Sequence, residues 1–295
     1  MHTFLMIEIG ISGWTYEGWR GTFYPPKLPH NKELAFASRK VSSIEINGTF
    51  YSLQRPASYE KWYESTPQDF IFSVKANRYI THVRKLNDPE IPMANFFASG
   101  VLNLKEKLGP FLWQFPPNMG FHPERWEKFL SLLPRDFKEA AKLAKKNVLA
   151  KERTSFRFKE NHPIRHAVEV RHMSFLDPLF VEMLKEHNVA IVFADTAGKW
   201  PYLEDVTSDF IYIRLHGDEE LYVSGYDDPA LDFWSERIAA WKNGREPEDA
   251  MTITDEKPGR KKRDIFVYFD NDAKVRAPID AQSLIKKVCG PELAH

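Results

Sequence analysis

The chain has 295 residues, 43% hydrophobic and 14% aromatic, which is enough apolar mass for one large packed domain and excludes a disordered chain. Lys plus Arg and Asp plus Glu both number 41, so no overall field draws the protein to nucleic acid or to an anionic membrane surface. The single cysteine, Cys289, excludes an internal disulfide and a cysteine-zinc cluster, and suits a reducing compartment.

The opening, MHTFLMIEIGIS, carries no basic leader, and Glu8 interrupts its apolar run. No apolar stretch approaches the ~20 residues of a membrane span. A soluble cytoplasmic protein is expected, with no membrane partner. A first strand is read at residues 7–12, followed by the aromatic connection GWTYEGWRGTFYPPKLPH at 13–30 and a helix over 31–40. Strand two (43–47) leads to a helix that opens on Pro56 and runs to about 65. Strand three (70–76) is followed by a helix over 93–107, and strand four (111–114) by helices over 123–133 and 136–150. Strand five (167–171) leads to a helix begun by Asp177-Pro178, and strand six (190–195) to a connection without a helical pattern. Strand seven (210–216) precedes a helix begun by Asp228-Pro229 and ending at 243. The polar segment 244–263, ending KPGRKKR, is read as a solvated loop on the face opposite the site. Strand eight (265–270) and a helix over 278–288 close the chain.

Eight β-branched or aromatic runs separated by helices predict parallel strands, hence an α/β fold and a single (β/α)₈ TIM-type barrel over residues 1–295. Such a barrel builds its site from the C-terminal strand ends. Alternation along the strands places the apolar residues outward on helices and leaves Glu8, Ser12, Glu45, Asn47, Ser73, Lys75, Asn77, Glu169, Arg171, Arg214 and His216 inside. Gln114, Asp195, Asp270, Asn271 and Asp272 stand at strand ends. Structural ion pairs, such as Glu169 with Arg214, would account for some of them. So many polar groups are better accommodated at a water-accessible mouth than in a dry interior.

The mixture of Lys75, Arg171, Arg214 and His216 with Glu45, Glu169, Asp195 and Asp270 suits an anion handled by acid–base chemistry. The expected catalytic set is Glu45, Glu169, His216 and Asp195. Asn47, Lys75, Gln114, Arg171, His172, Arg214, Asn271, Trp14 and Tyr51 are expected to bind substrate. The acids with His172 or His216 could also take a divalent metal, but no closely spaced metal motif selects one. Nucleophile-elbow, phosphate-loop and dinucleotide fingerprints are absent from the sequence.

Six blocks, GWTYEGWRGTFYPP (13–26), SIEINGTFY (43–51), GPFLWQFPP (109–117), VEVRHMSF (168–175), YIRLHG (212–217) and VYFDND (267–272), resemble the signature blocks of the YecE-like family, also called domain of unknown function 72. The resemblance spans about 7–288 and implies a TIM-type barrel. It also implies that Glu45, Asn47, Thr49, Lys75, Gln114, Glu169, Arg171, His172, Asp195, Arg214, His216 and Asn271 are the family's recurrent polar positions. It supplies no reaction. The barrel is similar in outline to metal-dependent endonuclease and sugar-isomerase barrels, an analogy of fold alone. The chain departs from the family pattern at 244–263 and at Lys274-Val275-Arg276. The expected function is a hydrolase or lyase for a small anionic, phosphorylated substrate. The alternatives are a nucleic-acid-binding, endonuclease-like barrel and a non-catalytic ligand-binding barrel. The sequence does not fix the oligomeric state.

Overall fold

A computed structural model describes residues 5–255, 259 and 261–290. Lys257, Pro258 and Arg260 of the basic run therefore lie outside the described residues. The strands are β1 (Ile7–Ser12), β2 (Ser43–Ile46), β3 (Ile71–Lys75), β4 (Leu108–Gln114), β5 (His166–Glu169), β6 (Ala190–Asp195), β7 (Phe210–Leu215) and β8 (Asp264–Phe269). They follow one another in chain order as a closed parallel barrel, the (β/α)₈ arrangement expected from the eight runs. Several expected strands run one or two residues too far. Asn47, Arg171, His216 and Asp270 lie just past the ends of their strands.

The chain divides into two compact units, residues 45–175 and residues 1–44 with 176–295. In the first, β3, β4 and β5 pair in parallel, with Lys75 opposite Leu112 and Gln114 opposite Glu169. Paired residues share a face, so Lys75, Gln114 and Glu169 all point inward. The alternate residues face the helices α4 (Glu90–Ala98) and α5 (Pro123–Leu132). Phe111 meets Phe96 and Phe97, and Trp113 packs edge-on against Phe129 at 5.1 Å. His166, fully buried, stacks on Phe111 and accepts from the Trp113 indole, and burial pushes its pKa down to about 3.

Two helices in this unit are shorter than their sequence patterns suggest. The run 93–107 is not one helix, because α4 ends before Gly100 (φ 108°), and 3₁₀ turns over Val101–Lys107 follow. A Cβ at Gly100 would lie 2.6 Å from the Pro56 backbone, so the left-handed turn and the close approach of α3 (Pro56–Ser65) both require glycine there. The run 136–150 yields α6 (Phe137–Ala144), started by the Asp136 carboxylate accepting from Glu139 N–H at 2.8 Å. It stops where Asn147 donates to the Ala144 carbonyl and accepts from Leu149 N–H.

In the second unit, the register pairs Glu8 with Phe266, Gly10 with Tyr268, Tyr212 with Phe266 and Arg214 with Tyr268. The inner wall becomes more polar along the strands. Phe210 meets Phe266 at 5.9 Å, Tyr212 lies 5.1 Å from Tyr268, and Tyr268 shares a hydrogen bond with Ser43. Arg214 and Asp270 follow at the C-terminal ends. Gly10 is required here too, since an added Cβ would sit 1.8 Å from the Ser43 carbonyl oxygen. The helices are α7 (Pro178–Glu186), α8 (Asp228–Lys242) and α9 (Arg276–Cys289). Asp177 and Asp227 cap the first two, each beside a proline in the first turn. The aromatic connection forms its own core, with Trp19 and Tyr24 buried and Phe23 edge-on to Phe36. The segment 244–255 is not simply solvated. Met251 and Glu204 exchange hydrogen bonds, and Asp205 accepts from Ile253 and Thr254.

Candidate active site

Within residues 45–175, the inward strand ends gather a cationic cluster. Glu169 is 1% exposed, and its Oε1 accepts from Arg171 Nη2 (2.6 Å), Arg171 Nε (2.8 Å) and Gln114 Nε2 (3.0 Å). A side-on arginine with an amide donor holds that carboxylate in one orientation. Lys75, buried at the end of β3, places its ammonium 4.6 Å from the Phe50 ring centre. The Thr49 hydroxyl donates to the Lys75 carbonyl and Asn77 Nδ2 to the Thr49 carbonyl, which fixes the loop after β2 against the end of β3.

The chain then turns through one π-helical segment, Tyr79–Val83, a geometry often found at functional sites. It sets His82 edge-on to Phe50 at 5.0 Å, with Nδ1 2.8 Å from the Thr81 hydroxyl. Burial first, then the positive charges of Lys75, Arg171 and Arg78, lower the His82 pKa from 6.5 to about 4; Glu169 opposes them. His82 was missed by the sequence reading because it lies in a π turn that no alternation marks. Arg78, just past β3, was the nearest signal.

Within the other unit, Arg214 and His216, both fully buried, meet Asp270 at the ends of β7 and β8. Arg214 Nη2 donates to Asp270 Oδ2 at 2.9 Å and reaches the Ser12 hydroxyl at 3.4 Å. Its Nη1 lies 3.2 Å from His216 Nε2. A guanidinium only donates, so Nε2 is the acceptor and the ring proton belongs on Nδ1. Nδ1 is 3.1 Å from Asp270 Oδ2, close enough for attraction but too far off line for a hydrogen bond.

Asp195 does not share that inner face. Its register partner is Leu215, which faces the helices, and Asp195 lines a hollow of about 210 Å³ with Trp200, Tyr202, Phe233 and Trp234. The Tyr226 hydroxyl donates to its Oδ2 at 3.0 Å, while burial raises the Asp195 pKa against that bond. Asn271 acts as a brace, donating to Asp280 Oδ2 and to the Ser224 carbonyl.

The remaining expected residues are dispersed within their units. Glu45 is fully buried in β2, and Asn47 precedes the short α2 (Gly48–Tyr51) without a side-chain capping bond. Tyr51 is 71% exposed. His172, half-buried, shares a hydrogen bond with Ser174. Trp14 is half-buried and its carbonyl accepts from Tyr24. Among the described residues, no group of three or more His, Cys, Asp or Glu side chains is placed to hold a metal ion. No helix among them is long and apolar enough to cross a membrane.

The chain is similar to several known proteins. UPF0759 protein YunF of Bacillus subtilis is 33% identical over 117 residues, which cover 38% of this chain and 40% of that protein. UPF0759 protein YecE of Escherichia coli is 24% identical over 247 residues, 82% of this chain and 84% of its own. The crystal structure of a DUF72 family protein from Thermotoga maritima superposes with a TM-score of 0.69 at 25% identity, covering 95% of this chain and 98% of that one. With the family model, Protein of unknown function DUF72, matching residues 8–292, this chain belongs to that family.

Proposed function

We propose that the protein is an enzyme, a hydrolase or lyase, acting on a small anionic substrate such as a phosphorylated sugar or nucleotide fragment. The observation that carries this reading is the inward strand-end cluster, where the Arg171 guanidinium grips the buried Glu169 carboxylate and the Lys75 ammonium stands over Phe50; the charges of Lys75, Arg171 and Arg78 help to lower the His82 pKa. An anion entering that cluster gains attraction from three cations, and the planar Arg171 fork suits carboxylate or phosphate oxygens. Glu169 is the acid–base group, oriented by Arg171 and Gln114 so that substrate binding to Arg171 alters its charge environment.

Thermal unfolding against phosphorylated sugars, nucleotides and organic acids, with and without divalent metals, tests the reading. A ligand at ~100 times its dissociation constant adds about 2.7 kcal/mol, or roughly 4 °C in a chain of this length. The expected result is a shift for one anionic class that disappears in Arg171→Ala, with turnover of that ligand abolished in Glu169→Gln. A panel with no shift in the wild type, or a shift unchanged in Arg171→Ala, removes the proposal.

A further inference from the structure

Residues 45–175 also carry a hollow near the N-terminal ends of β4 and β5, opposite the strand-end cluster. It lies where Val101–Lys107 enters β4 and where 157–162 approaches β5, and encloses about 400 Å³, within the range of small-ligand pockets. β4 is seven residues long, so the hollow is roughly 20 Å from the Gln114 end. Phe137 and Phe158 meet edge to face at 5.8 Å, and His162 stands against Phe137 at 5.2 Å, giving the hollow aromatic walls. Lys105, Arg157 and Lys159 supply positive charge around it.

The charges are unequally committed. Tyr63 donates to Glu106 at 2.6 Å, and Lys105 rests over the Tyr63 ring at 4.2 Å, so this acid and this base already have neighbours. Lys105 adopts φ 52°, ψ −129° to do so, a costly backbone setting for a residue with a Cβ. Arg157 and Lys159, both exposed, form no ion pair or side-chain hydrogen bond with another described residue, and Glu160 is the remaining acid on the wall. Half-buried Phe158 lies in sequence between these two cations. A flat ring could stack on it while an attached anion meets the guanidinium or the ammonium.

We infer that this hollow is a binding site for an aromatic anion, a flat ring bearing a phosphate or carboxylate, separate from the strand-end cluster. The site needs no contribution from the proposed catalytic residues, so its test does not depend on that reading. Calorimetric titration with adenosine monophosphate and with indole-3-carboxylate, alongside adenosine and inorganic phosphate, separates the ring from the charge and phosphate from carboxylate. Saturable binding of at least one aromatic anion is expected, weakened about ten-fold or more in Arg157→Ala and in Phe158→Ala and unchanged in Lys242→Ala, which removes an exposed cation of α8 far from the hollow in sequence. Arg157 is exposed, so its replacement leaves the fold intact, and Arg157→Glu should weaken binding further. The inference fails if neither aromatic anion binds, if adenosine binds as well as its monophosphate and indole-3-carboxylate does not bind, or if binding survives undiminished in both Arg157→Ala and Phe158→Ala.

Discussion

The depressed pKa of His82 can be tested without knowing the substrate. Its fall from 6.5 to about 4 is caused by burial first and then by Lys75, Arg171 and Arg78. A histidine whose folded pKa lies below its unfolded value favours the folded state above the unfolded pKa and loses that contribution as pH drops through the folded pKa. His82 should therefore contribute stability at pH 7 that disappears between about pH 6.5 and pH 4. At ~1.4 kcal/mol per pH unit the gap is worth about 3 kcal/mol, and the partial exposure of the ring reduces this to about 2. Across 295 residues at ~2.1 cal/mol/K each, 2 kcal/mol corresponds to roughly 3 °C in the unfolding midpoint. The wild type should lose about that much relative to His82→Gln when both are moved from pH 7 to pH 4. Titration of the imidazole carbon-proton resonances, with His82→Gln supplying the assignment, reads the pKa directly. Lys75→Met should raise the midpoint, and so should saturating inorganic phosphate if the anion enters the cluster. A wild-type midpoint near 6.5, or one that Lys75→Met leaves in place, would refute both the field at His82 and the reading built on it.

Arg171→Ala leaves the Glu169 carboxylate, 1% exposed, with Gln114 but without its guanidinium, at a cost of about 3–5 kcal/mol and a midpoint roughly 5–8 °C lower by scanning calorimetry. Tyr226→Phe removes the bond that restrains the Asp195 pKa, so that pKa should rise further. A carboxyl raised in the folded state loses stability as pH climbs, so the Tyr226→Phe deficit should be larger at pH 7 than at pH 4; equal deficits would count against the assignment. Gly10→Ala should yield no folded protein, since its Cβ would overlap the Ser43 carbonyl, whereas Gly18→Ala, with open space around it, should fold normally by circular dichroism.

How far the sequence could be read follows from which strands are two-faced. In β7, FIYIRL alternates, so Tyr212 and Arg214 could be placed inward and Ile211 and Ile213 outward, as the register has them. β6 reads AIVFAD, apolar at every position before the last, and carries no alternation. Asp195 could therefore be located at a strand end but not assigned to a face, and it lies on the helix side. Residues past a strand end are set by the local turn instead of by parity. Tyr51 follows a short helical turn into solvent, while the π turn after β3 brings His82 into the field of Lys75, Arg171 and Arg78. Hydrogen bonds from Thr49 and Asn77 fix these two turns together, and neither residue is unusual in sequence. The chemistry of the cationic cluster thus depends on side-chain-to-backbone bonds between loops. Loop-swap variants that keep every strand intact but remove the Thr49 and Asn77 bonds should free His82 from the field and return its pKa toward 6.5 without loss of the barrel's circular dichroism.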